Sequence, residues 1–213
     1  MIAGDERTPS PGLPFLRSLV IAVPTALALG IGAELAGYLP YPWNLVSIMG
    51  GPWMAAAFLC GRSITRKPWF GALAGVLVIG LGLITDAVFK RLAYGPNSVR
   101  VLSEEVPYWI ALAIPLGAVL GGVGSGSRRE QGSMGAACWG VVLGLILAET
   151  IVLIGRGQGN PPTVALIDIG LMGVMAFLGS RWSRPQVFLP VAAVIGFTLA
   201  AAWPIARRVF PNL

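Results

Sequence analysis

Residues 44–62 read NLVSIMGGPWMAAAFLCGR. The stretch has the length and apolarity of a membrane span, yet Gly50, Gly51 and Pro52 stand in its middle, where a soluble helix would break. The flanking chain decides the setting. Its 213 residues are 55% hydrophobic and only 11% charged, against roughly 25% charged residues in ordinary soluble domains. Mean hydropathy is +0.77. A soluble fold has no use for so much apolar surface.

A helix needs about 20 mostly apolar residues to cross roughly 30 Å of hydrocarbon. Seven stretches qualify: 15–38, 44–61, 69–89, 105–124, 133–154, 163–180 and 186–205. Hydrocarbon offers no partners to backbone N–H and C=O, so spans of this kind are helices. The expected fold is an all-α polytopic transmembrane helical bundle of about seven spans, one N-terminal helix followed by three helical hairpins. A single membrane domain is expected over 14–206, with a flexible cytoplasmic tail at 1–13 and a short C-terminal tail at 207–213. The leader MIAGDERTPSPGLP mixes acidic with basic residues and is rich in Pro and Gly. A signal peptide starts plainly positive, so the first span is expected to be retained.

The hairpins turn at LCGRSITRKPW, GSGSRREQGSM and LGSRWSRPQVF, whose lead arginines Arg62, Arg128 and Arg181 are 66 and 53 residues apart. No fixed period follows, and ordinary membrane-turn chemistry accounts for the similarity. Basic residues are retained on the cytoplasmic side. With the N-terminus inside, that side holds Arg7, Arg17, Arg62, Arg66, Lys67, Arg128, Arg129, Arg181 and Arg184, which is 9 of the 15 basic residues. The N-terminus is therefore expected in the cytoplasm and the C-terminus outside, with Arg207 and Arg208 running against that assignment. Trp69 and Trp182 fall at inner ends and Trp43, Trp109 and Trp203 at outer ends, while Trp53 and Trp139 lie within spans. High Gly, Ala and Arg with almost no Lys fits a bacterial source and a plasma-membrane location.

Small residues let membrane helices approach closely. The pairs Gly71 and Gly75, Gly117 and Gly121, Gly140 and Gly144, and Ala33 and Gly37 have the spacing for it. Gly50 and Gly51 fit the same role, and Pro52 is expected to kink its helix by removing the hydrogen bond to the Ile48 carbonyl. GVGSGS at 122–127 lacks the Lys and flanking strand of a phosphate loop, so it is expected to be a helix end and turn.

Four acids lie inside apolar stretches: Glu34 in GIGAELAGY, Asp86 in LITDAVF, Glu149 in LILAETIVLI and Asp168 in VALIDIGLM. Ionisable groups at such positions are costly and face a bundle interior or a watery cavity. Each lies roughly 5–8 Å from the outer end of its span, which suggests an outward-opening acidic vestibule for a cation or small solute. Local pairing is the competing account. Asp86 precedes Lys90 by four residues, the favourable order for a helical ion pair. Glu149, flanked by long apolar runs on both sides, is the strongest single candidate.

Other chemistry is excluded by composition. The chain has no His, which removes His-centred triads and most zinc or haem sites. No cofactor and no metal site is expected. Cys60 and Cys138 both fall near cytoplasmic helix ends and read as packing residues. The net charge of +6 matches basic loops against anionic lipid, and nothing supports nucleic-acid binding.

GGPWMAAAFLCGR, a basic turn followed by PWFGALAGVLVIGLG, then YWIALAIPLGAVLGG and GVVLGLILAETIVL, together resemble a family of actinobacterial multi-pass membrane proteins known only as a domain of unknown function. The resemblance spans residues 44–200 and rests on the Pro-Trp of the second span and the Ala-Glu of the fifth. It implies a membrane bundle and no particular activity. Where that family has a polar residue ahead of the Pro-Trp, this chain has Gly50 and Gly51.

Three functional classes remain open. One is a small transporter or channel-like protein whose acids attract a cation or small solute. A second is a structural subunit, or homo-oligomer, whose Gly-rich faces dock a membrane-protein partner. The third is an intramembrane enzyme acting on lipid-linked substrate through Glu149 or Asp168, which no motif supports.

Overall fold

Short polar connectors and helix-opening prolines divide the apolar sequence into discrete rods. In the computed structural model of the chain, which describes residues 12–41, 43–64, 67–94, 99–129, 132–155 and 161–209, these are α1 (Gly12–Gly37), a 3-10 segment (Trp43–Ile48), α2 (Gly51–Ile64), α3 (Pro68–Tyr94), α4 (Val99–Arg129), α5 (Ser133–Gly155), α6 (Pro161–Ser180) and α7 (Pro185–Val209). Among the described residues there is no strand. Pro68, Pro161 and Pro185 each occupy the first position of a helix, where a missing N–H costs nothing. The expected tail at 1–13 lies outside the described residues apart from Gly12 and Leu13, which begin α1. Residues 210–213 also lie outside them, and 207–209 form the end of α7.

Stretches within α1, α3, α5, α6 and α7 are long and apolar enough to cross a membrane. They leave large apolar side chains on the outside, among them Val20 and Leu35 on α1, Leu166, Val174 and Phe177 on α6, and Val194 and Phe197 on α7. Phe58, Leu120, Trp139, Ile146, Met175 and Phe188 fill the interior. The fold is an all-α membrane bundle, apolar on both its inside and its flanks.

Residues 44–62 are not one helix. The 3-10 segment ends at Ile48, Met49 and Gly50 belong to no helix, and α2 begins at Gly51. The first helical bond of α2 runs from the Met54 N–H to the Gly50 carbonyl at 2.9 Å. Pro52 therefore stands in the first turn, where backbone N–H groups have no partner within the helix. The expected kink at Gly50, Gly51 and Pro52 is replaced by a helix start. With 14 residues, α2 is about 21 Å long, short of the hydrocarbon thickness by itself. It crosses the centre of the bundle, against α1, α3, α4, α5 and α6.

The tightest packing joins α3 to α4 and α5 to α7. Gly71 and Gly75 of α3 meet Gly117 and Gly121 of α4 so closely that a methyl group at Gly117 would sit 2.7 Å from the Gly75 carbonyl oxygen. Gly140 and Gly144 receive Val191 and Ile195 of α7. The small-residue pairs of α3, α4 and α5 are thus spent inside the bundle, bringing backbones together as van der Waals packing in lipid requires. Residues 122–127 also depart from expectation. They continue α4 to Arg129, because Gly121 and Gly124 lie against the backbone of α2 at Gly61 and Phe58. Packing there outweighs glycine's poor helix propensity.

Candidate functional site

All four intramembrane acids lie toward one end of the bundle, near the C-terminal ends of α1, α3 and α5 and the N-terminal end of α6. They form two pairs with different surroundings.

Glu34 and Asp86 share a cation. Lys90 Nζ lies 2.7 Å from Asp86 Oδ2, one turn earlier on α3, and 3.7 Å from Glu34 Oε2 on α1. The α1–α3 contact is close at this level, since a methyl group at Gly30 would sit 2.7 Å from Thr85 Cβ. Glu34 is buried, while the Lys90 side chain is 41% exposed. The lysine neutralises one of two charges and is positioned to snorkel.

Glu149 and Asp168 are held without a cation. Glu149 Oε1 accepts the Gly50 N–H just ahead of α2, so α5 supplies from outside the cap that the start of α2 lacks. Asp168 is completely buried, and its Oδ2 accepts the Thr150 hydroxyl at 2.7 Å. Thr150 in turn sits on α5 beside Glu149, its hydroxyl also 2.8 Å from the Ile146 carbonyl oxygen. The second oxygen of each carboxylate, Glu149 Oε2 and Asp168 Oδ1, is buried without a hydrogen-bond partner. Both point at the same place: a Cβ on Gly51 would lie 3.2 Å from Asp168 Oδ1 and 3.5 Å from Glu149 Oε2, with Leu171 Cδ2 at 3.0 Å. Among the described residues no Lys or Arg pairs with either acid.

Each carboxylate is thus anchored through one oxygen, Glu149 at the backbone N–H groups that open α2, and the other oxygen lies beside the bare α-carbon of Gly51. A buried oxygen with unmet bonding capacity favours a proton, a donor group or a cation at that point. Glycine permits the approach, because any side chain at 51 would occupy the place where the two oxygens meet. Two carboxylates fall well short of the six to eight oxygens that hold calcium, and among the described residues no group of three or more potential ligands converges. The geometry suits a proton, a monovalent cation or an ammonium group. At the rim, Tyr41 Oη and Thr163 Oγ1 are hydrogen-bonded at 2.9 Å, joining the connector after α1 to the start of α6.

Sequence inspection did not single out Thr150, although a hydroxyl residue following an intramembrane Glu is a usable signal. It also did not single out the cluster at the other end of α2, where Arg62 lies over the rings of Trp139 and Trp182. There the signal was Trp139, a tryptophan too deep for the interfacial belt.

The model of a family of unknown function, DUF6518, matches residues 9–207. The chain belongs to this family. No solved structure matches it. The DUF6518 match takes in both acid pairs, the break before α2 and the Arg62 cluster, so each lies within the family domain and none is an addition at its edge.

Proposed function

We propose that this DUF6518 protein is a small transporter or channel-like protein in which Glu149 and Asp168 bind a cation, or a solute bearing a positive charge, at the interrupted second span. The observation that carries this is the pair of unpartnered buried oxygens beside Gly51. Broken helices in secondary transporters gather polar backbone and side-chain groups at the substrate site, and the gap between the 3-10 segment and α2 is such a break. The arginine-rich connectors at the other end of the bundle support an orientation with the acids toward the exterior of a bacterial plasma membrane, the N-terminus inside and the C-terminus outside. Glu34, Asp86 and Lys90 then form part of an outer rim with one residual negative charge.

A structural subunit without substrate is the competing account, and one observation favours it: Glu149 caps α2. That role explains Glu149 Oε1. It leaves Glu149 Oε2 and Asp168 Oδ1 without purpose.

Flux in proteoliposomes tests the proposal, with labelled sodium, labelled rubidium and a pH-sensitive dye as separate probes. At least one flux above that of empty vesicles is expected, reduced at least tenfold in both Glu149→Gln and Asp168→Asn. Wild-type vesicles indistinguishable from empty ones for all three probes, or flux retained in both variants, would sink it.

A further inference from the structure

The inner end of α2 carries a second concentration of charge, of opposite sign and independent of the carboxylate site. Arg62, in the last turn of α2, lies 4.6 Å from the ring centroid of Trp182 and 5.4 Å from that of Trp139. Its Nη1 donates to Ser127 Oγ at 2.7 Å, and that hydroxyl donates to the Gly124 carbonyl at 2.6 Å. The two indoles stack at 6.0 Å, and Phe58 packs edge-on against Trp139 at 4.8 Å. Three helices and the turn between α6 and α7 thus fix one guanidinium in place.

A second guanidinium is aimed at the last turn of α2. Arg128 Nη1 lies 3.1 Å from the Ser63 carbonyl oxygen and 3.5 Å from that of Arg62, and its positive charge acts unfavourably on the partly buried Arg62. Among the described residues no carboxylate pairs with either arginine. Aromatic faces attract a cation without neutralising it, so two like charges remain together, Arg62 half-buried and Arg128 exposed. Trp139, completely buried beneath Arg62, is the packed floor of the cluster. Two guanidinium groups that no described carboxylate neutralises call for an oxyanion. Trp182 and Trp69 are largely exposed at this end of the bundle, the placement of indoles at headgroup depth.

We infer that Arg62 and Arg128 form a binding site for a phosphate group at the inner end of α2, with Trp139 and Trp182 holding Arg62 in place. The headgroup of an anionic phospholipid and free inorganic phosphate share the required chemistry, and they are separable by experiment. The purified protein in neutral detergent is titrated with phosphatidylglycerol, with phosphatidylcholine and with inorganic phosphate, following tryptophan fluorescence and the unfolding temperature. A saturable response to phosphatidylglycerol at concentrations where inorganic phosphate does nothing assigns the site to a lipid headgroup. A response to inorganic phosphate alone assigns it to a free anion.

In either case Arg128→Gln is expected to weaken half-saturation about tenfold, the equivalent of one charge-assisted hydrogen bond. Arg62→Gln is expected to weaken it further. Arg184→Gln, at an exposed position on the same membrane face, is expected to leave the titration unchanged. Circular dichroism confirms that each variant is folded, and Arg128, being exposed, keeps the test open if Arg62→Gln unfolds. No response of the wild type to phosphatidylglycerol or phosphate would overturn the inference. Equal losses in Arg184→Gln and Arg128→Gln would also overturn it, because the attraction would then belong to the surface as a whole.

Discussion

The two acid pairs sit at the same end of one bundle and differ in what stands between their carboxylates. Glu34 and Asp86 have Lys90 between them, whereas Glu149 and Asp168 have the α-carbon of a glycine. In the first pair the chain supplies its own cation, and in the second it supplies anchors: a helix-start N–H for Glu149 and a threonine hydroxyl for Asp168. Carboxylates inside a membrane are thus not equivalent by depth. One pair is closed by a tethered ammonium group, and the other is built to stay in place while one oxygen of each acid remains available.

That contrast can be broken most severely at Gly51. Gly51→Val would push methyl groups into Leu171 and toward both carboxylate oxygens, and is expected to cost about 2–3 kcal/mol of stability while abolishing cation flux. Thermal unfolding in detergent and proteoliposome flux check the two effects. Glu149 comes next, where two substitutions separate its roles. Glu149→Ala removes the cap and is expected to cost about 1–2 kcal/mol. Glu149→Gln keeps an acceptor for the Gly50 N–H and is expected to stay within about 0.5 kcal/mol of wild type, yet to lose flux as fully as the alanine variant. Equal stability losses in the two would leave capping in doubt.

Lys90→Met converts the first pair toward the second. With its lysine half-exposed, the loss is expected to be about 1 kcal/mol, and the variant is expected to gain a dependence of unfolding temperature on added sodium. If unfolding of Lys90→Met is indifferent to sodium, a missing tethered cation is not what makes a site. The smallest change is Asp86→Asn, which removes one partner of a helical pair and is expected to cost about 0.3 kcal/mol with flux unaffected.

The sequence made the membrane bundle legible because length and apolarity alone determine what can cross hydrocarbon. The lysine bridge was half legible. Asp86 and Lys90 are four apart on one helix, but the approach of Glu34 depends on how α1 rotates against α3, which spacing along a single helix does not encode. The four acids could be placed at one end of their spans but not divided into pairs, for the same reason. Pro52 was misread because a proline in a helix interior and a proline in a first turn look alike in an unbroken apolar run. What distinguishes them is Glu149, which takes the Gly50 N–H from another helix. Gly122, Gly124 and Gly126 misled in the opposite direction, reading as a turn where contact with α2 holds Gly124 helical.

The cap on α2 has a consequence for how the protein is made. Gly50 donates to a carboxylate 99 positions further along the chain, so the start of α2 has no partner when its own residues leave the ribosome. At common synthesis speeds the wait is roughly 5–20 seconds, through the insertion of α3 and α4. During that interval α2 is too short to cross the bilayer alone and carries unsatisfied backbone donors. The start of the central helix is therefore completed only once α5 has arrived.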